Sequence, residues 1–127
     1  MTAIVLVFVG AGLGGVLRHL VNVGCAHACG TAFPWGTLAV NVAGSFAMGV
    51  LAGWLALKAG ANWAQGARLF LATGILGGFT TFSAFSLDAV LLWERGQMAS
   101  AALYVTGSVV VSIGALAAGL ALIRNFA

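Results

Sequence analysis

The chain has 127 residues, 62% of them hydrophobic and only 6% charged. A soluble domain carries about 25% charged residues, so a globular surface facing water is excluded. Arg18, Lys58, Arg68, Arg95 and Arg124 are the only basic residues and Asp88 and Glu94 the only acids, giving a net charge of +3. No basic cluster offers a face to nucleic-acid phosphates. Two acids, two histidines and no paired nucleophile and base leave little for catalysis.

A helix needs roughly 20 mostly apolar residues to cross a bilayer, and four stretches qualify. The first lies near 3–23; it lacks a cleavage site and is read as mature structure, not a signal peptide. The segment Gly30–Trp35, with Pro34, separates it from a second span near 36–57. A third lies near 66–93 and a fourth near 99–123, within the uncharged run Gly96–Ile123. The connections near 24–35, 58–65 and 94–98 are too short for another domain. Residues 1–127 therefore read as one all-α, four-helix transmembrane domain.

An even number of spans puts both termini on one side of the membrane, together with Lys58, Arg68 and Arg124; the other side receives Arg18 and Arg95. Positive charge on the cytoplasmic side fixes orientation, and this bias is weak. Insertion in both orientations is predicted, with two opposed copies paired about a two-fold axis in the membrane plane, as inverted repeats pair in transporters. Four helices are also few to line a channel, so an antiparallel, dual-topology homodimer is expected. Gly10/Gly14, Gly49/Gly53, Gly74/Gly78 and Ala115/Gly119 have small-xxx-small spacing, which lets helices approach closely in lipid.

The chemistry concentrates in Gly74–Ser86, inside the third span. Gly77-Gly78 is a poor helix interior, and a break is predicted there, the first half-helix ending near Leu76 and the second starting near Thr81. A break frees carbonyls, which suit a small hard cation such as sodium, and amides at a helix start, which suit an anion. The residues alone leave two readings open, a packing kink and an ion site. Phe79, Phe82 and Phe85 recur every three residues, as do Ser83 and Ser86. The positive edges of Phe82 and Phe85 suit an anion path; plain packing is the other reading.

Asn41 lies inside the hydrophobic second span, as helix–helix glue or as a functional donor. Tyr104, Ser108 and Ser112, four residues apart, set three hydroxyls along one face of the fourth span. They either hydrate a moving ion or bond to neighbouring helices. Arg18, near the end of the first span, snorkels to the headgroups or concentrates anions at a pore mouth. Cys25-Ala-His27-Ala-Cys29 has too few ligands for structural zinc.

The motifs Gly14-x-x-x-Arg18, Trp35-Gly-Thr-Leu-x-Val-Asn-x-x-Gly-Ser-Phe46 and Gly74-x-x-Gly-Gly-Phe-Thr-Thr-Phe-Ser-x-Phe-Ser86 resemble those of the Fluc (CrcB) fluoride channels across essentially the whole chain. The resemblance implies a fluoride-selective channel passively exporting fluoride through two pores per antiparallel dimer, in the plasma (inner) membrane of a bacterium. It implies a central structural sodium ion held by backbone carbonyls, which fall on Gly77 and Thr80. It places the fluoride pathway on Asn41, Phe82, Phe85, Ser83, Tyr104, Ser108 and Ser112, with Arg18 drawing anions to the vestibule. Ala39 and Ala84 stand where some relatives carry a hydroxyl. The alternative, a small dual-topology cation or drug antiporter, needs a buried carboxylate in its substrate site, and the first two spans contain no acid.

Overall fold

The computed structural model describes residues 1–126. Its elements are α1 (Thr2–Cys29), α2 (Trp35–Leu57), α3 (Ala64–Ala67), a π-helical stretch (Arg68–Leu76), α4 (Gly77–Phe79), α5 (Phe82–Glu94) and α6 (Met98–Phe126). The described residues contain no strand. Four helical spans are long and apolar enough to cross a membrane: α1, α2, the composite Ala64–Glu94, and α6. The chain is an integral membrane protein.

Three features differ from the sequence expectation. First, α1 runs to Cys29, because nothing breaks it before Gly30, which takes φ 77° and donates its N–H to Ala26 C=O at 3.0 Å. That left-handed angle suits glycine at a helix C-terminus, and the extension puts Arg18 in the helix interior instead of near its end. Second, Gly77 and Gly78 stay helical; the helical angles are lost at Thr80 (ψ 157°) and Thr81 (ψ 123°), both extended. The axis of the third span bends by only 14° across them. Third, Arg68–Leu76 winds as a π-helix, a wider form that occurs mostly as short bulges at functional sites.

Small residues set the packing. On one side α1 lies against the third span: a Cβ on Gly14 would overlap the Ile75 carbonyl, and one on Gly78 the Ala11 carbonyl. On the other side α2 lies against α6, with Gly49 against the Leu116 carbonyl and Gly119 against the Phe46 carbonyl. In lipid no hydrophobic force drives helices together, so such backbone proximity carries the association. The spans alternate in direction, which makes α2 and α6 parallel neighbours. Among the described residues Phe85, Leu92, Ala101 and Tyr104 form a buried apolar cluster, with Phe33, Leu38 and Ala89 packed on it. The exposed Ile4, Phe8, Leu103 and Val110 face the region that lipid would fill.

Replacing Gly14 by Ala inserts a methyl where the facing backbone cannot yield, and overpacking costs about 1–3 kcal/mol. Gly12 has open space around its Cβ direction. The expected outcome is a lower thermal midpoint in detergent for Gly14→Ala and an unchanged one for Gly12→Ala.

Candidate functional site

The loss of helix at Thr80–Thr81 leaves polar backbone groups inside the membrane, and Asn41 of α2 answers it. Asn41 Nδ2 donates to Thr81 C=O at 3.0 Å, and Thr81 N–H donates to Asn41 Oδ1 at 2.8 Å. The side-chain amide thus substitutes for a backbone partner in both directions and keeps one N–H of its NH₂ group uncommitted. Gly44, one turn along α2, makes the approach possible, since a Cβ there would collide with the Thr80 methyl. Thr81 also caps α5, its Oγ1 accepting from Ala84 N–H at 3.2 Å.

These bonds have a second effect. In an uninterrupted helix Thr81 N–H would bond the Gly77 carbonyl and Ala84 N–H the Thr80 carbonyl. Both donors are diverted, to Asn41 Oδ1 and Thr81 Oγ1. The carbonyls of Gly77 and Thr80 are thereby released from their usual helical partners.

Beside the interruption lies a cavity of about 340 Å³, lined by Asn41 and Ser45 of α2, Thr80 and Thr81, Phe82 and Phe85 of α5, and Ser108 and Ser112 of α6, with Met48, Ile113 and Leu116 at its apolar end. The hydroxyl oxygens of Ser108 and Ser112 are buried without any hydrogen-bond partner among the described residues. No ionisable side chain lines this cavity. Phe82 is 77% exposed, so the cavity opens sideways past its ring. The Phe82 and Phe85 centroids are 5.5 Å apart with planes tilted by 54°.

Tyr104 sits behind Phe85, 5.2 Å between centroids, and its hydroxyl donates to Asp88 Oδ2 at 3.1 Å. Phe33 meets it edge-on at 5.5 Å and 88°. A tight turn holds Phe33 there: Trp35 N–H donates to Phe33 C=O at 2.8 Å across Pro34, whose φ −79° and ψ 66° define an inverse γ-turn. Beyond this aromatic group is a second, more polar cavity of about 310 Å³, lined by Asn22, Thr31, Thr37, Ala84, Asp88 and Arg95 among others.

Six of the residues singled out from sequence, Asn41, Thr80, Phe82, Phe85, Ser108 and Ser112, therefore line one cavity. Ser83 is exposed, its Oγ 3.4 Å from Thr81 Oγ1. Tyr104 lies between the two cavities. Arg18, half-buried on α1, and Gly77 line neither. Cys25 and Cys29 are free thiols, and no cluster of three metal-ligating side chains occurs among the described residues. Thr37 and Ser45 stand in the second sequence motif without an assigned role, and Asp88 was noted only as one of two acids. The signal for the first two was the four-residue spacing Thr37, Asn41, Ser45, the same spacing that marked Tyr104, Ser108 and Ser112.

The fold and cavity define a four-span integral membrane protein with an uncharged, mostly apolar pocket beside two non-helical residues of one span. Comparison with known proteins identifies its family. The chain matches the profile described as CrcB-like protein, Camphor Resistance (CrcB), over residues 5–120, and belongs to that family. It is 59% identical over 120 residues to a protein of Nitrobacter hamburgensis named fluoride-specific ion channel FluC 2, covering 94% of this chain and 95% of that one. It is 61% identical over 120 residues to fluoride-specific ion channel FluC of Methylobacterium nodulans, covering 94% of each chain. The protein of that name from Rhodospirillum centenum is 57% identical over 128 residues, covering 98% of each chain.

Asn41→Ala removes both bonds to Thr81 and leaves an N–H and a C=O unpaired. Each such group costs about 1–3 kcal/mol, so a loss of about 2–6 kcal/mol is expected, read as a lower thermal midpoint in detergent. Ser86→Ala, which removes only a bond to Phe82 C=O within its own helix, is expected to change stability by less than about 0.5 kcal/mol.

Proposed function

We propose that this protein is a fluoride channel, passing the ion out of the cytoplasm down its gradient across the inner membrane of a bacterium, and is not an enzyme. One observation carries the reading: two buried hydroxyls, on Ser108 and Ser112, have no partner and line an uncharged cavity in the membrane. Leaving polar groups unpaired in such a place is costly, and an anion relieves that cost by accepting from both. A small, strongly hydrated anion gives up water only where donors replace it, and the free N–H of Asn41 adds a third. The positive ring edges of Phe82 and Phe85 offer further attraction without a formal charge. Conduction requires binding weak enough for the ion to leave, which neutral donors allow. The relatives' names supply the identity of the anion. An antiporter fits less well, because no carboxylate lines the cavity.

Assembly follows from the open side of the cavity. Phe82 and Ser83 are exposed at the depth of the helix interruption, where lipid cannot bond a hydroxyl. A second copy, inserted in the opposite sense and paired about an axis in the membrane plane, closes that side and gives two pores, one on each side of the axis. The released carbonyls of Gly77 and Thr80 fit a sodium ion, which takes neutral oxygen donors. When bound it supplies positive charge that holds the interrupted spans of the two copies together. Arg18 serves to raise anion concentration near an entrance.

Fluoride efflux from proteoliposomes, read with a fluoride electrode and repeated with chloride, tests the reading. Rapid fluoride loss is expected, with chloride retained. Ser108→Ala is expected to slow it by about ten- to a hundred-fold, the equivalent of one hydrogen bond to a charged group. Folded wild-type protein that releases no fluoride would overturn the proposal.

The sodium ion is tested separately. Exchanging sodium for N-methylglucamine in detergent is expected to lower the thermal midpoint, and titrating sodium back to raise it, since a ligand stabilises the state that binds it. A midpoint indifferent to sodium removes the ion from the proposal.

A further inference from the structure

The walls contributed by α2 and α6 match in a way that the motifs do not reveal. The two helices run parallel at close contact, so residues advance together along them. Thr37 lies beside the Tyr104 hydroxyl. One turn further, Asn41 and Ser108 line the inner cavity together, and one turn beyond that Ser45 and Ser112 do the same. Successive pairs stand about 6 Å apart along the axis, four residues at 1.5 Å each. After the third pair the lining is apolar: Met48, Ile113 and Leu116.

We infer that Ser45 is a further anion-binding residue, which with Ser112 forms the innermost polar site of the passage. The inference rests on the channel reading above. The Ser112 hydroxyl is buried and unpartnered, but one donor on one wall is a poor substitute for a hydration shell. Ser45, on the adjoining helix α2, lines the same cavity at the same level. Its neighbours on α2 have other tasks. Gly44 faces Thr80 and Phe79, and Gly49 faces the Leu116 carbonyl. Ser45 is the hydroxyl that α2 presents to the cavity beyond Asn41. It is also where an ion moving inward from the phenylalanine pair meets its last donors before the apolar end.

Thr and Val have nearly the same shape and differ by the hydroxyl, so they separate hydrogen bonding from volume. Ser45→Thr, Ser45→Val and Ser45→Ala are reconstituted beside wild type, with elution profile and thermal midpoint recorded for each. The expected result is fluoride efflux within about three-fold of wild type for Ser45→Thr. Ser45→Val and Ser45→Ala should fall by about ten- to a hundred-fold, with elution and midpoint unchanged. Efflux near the wild-type rate for Ser45→Ala, or equal loss for Ser45→Thr and Ser45→Val, overturns the assignment while leaving the channel intact. Loss that follows a fallen midpoint also overturns it, making Ser45 a packing residue. Absence of efflux from wild type is distinct from all of these: it removes the channel reading and the inference with it.

Discussion

Inside a bilayer every backbone N–H and C=O must find a partner within the protein, and the Asn41–Thr81 pair is where this chain meets that requirement. An extended Thr80–Thr81 would otherwise expose donors and acceptors to hydrocarbon. One side-chain amide, brought within 2.8–3.0 Å, satisfies one of each. The rest of the arrangement depends on it. It ties α2 to the third span, starts α5 in the orientation that sets Phe82 and Phe85 against the cavity, and diverts the N–H that would have closed on the Gly77 carbonyl.

Glycine makes that proximity possible, and its use divides the molecule into two tight pairs. Gly10, Gly14 and Gly78 bind α1 to the third span, while Gly49, Gly53 and Gly119 bind α2 to α6. The cavity lies where the second pair meets the interrupted span. Its polar side chains come from α2, from Thr80 and Thr81 and from α6, α5 adds the two phenylalanine rings, and α1 contributes nothing to it. The walls are thus fixed by backbone contacts, which leave the hydroxyls of Ser108 and Ser112 free of structural duty.

Much of this was legible in the chain before folding. Hydropathy set out four spans, and polar residues inside them marked Asn41, Ser108 and Ser112, because a lipid setting makes any polar side chain conspicuous. A break of the span at Gly77-Gly78 is not borne out, since the axis bends by only 14° and only Thr80 and Thr81 leave the helical angles. Gly77-Gly78 reads as a breaker by intrinsic preference, yet those glycines hold helix against α1, and the helix gives way at the two threonines that Asn41 can reach. The end of α1 was also set short, since no local signal precedes Gly30. The π-helical Arg68–Leu76 left no mark at all: its composition is that of any apolar helix. Ser45 stands in the second motif with no role legible there, and the parallel course of α6 gives it a counterpart in Ser112.

The sideways opening at Phe82 has a consequence for the chain as a membrane solute. Beside the Phe82 ring it exposes the Ser83 hydroxyl, and acyl chains offer that group neither donor nor acceptor. On the assembly proposed above, a second copy relieves the mismatch. The energy of a single chain in its bilayer therefore varies with the crowding of that bilayer, a dependence on two-dimensional concentration that a helix bundle closed on all sides would lack.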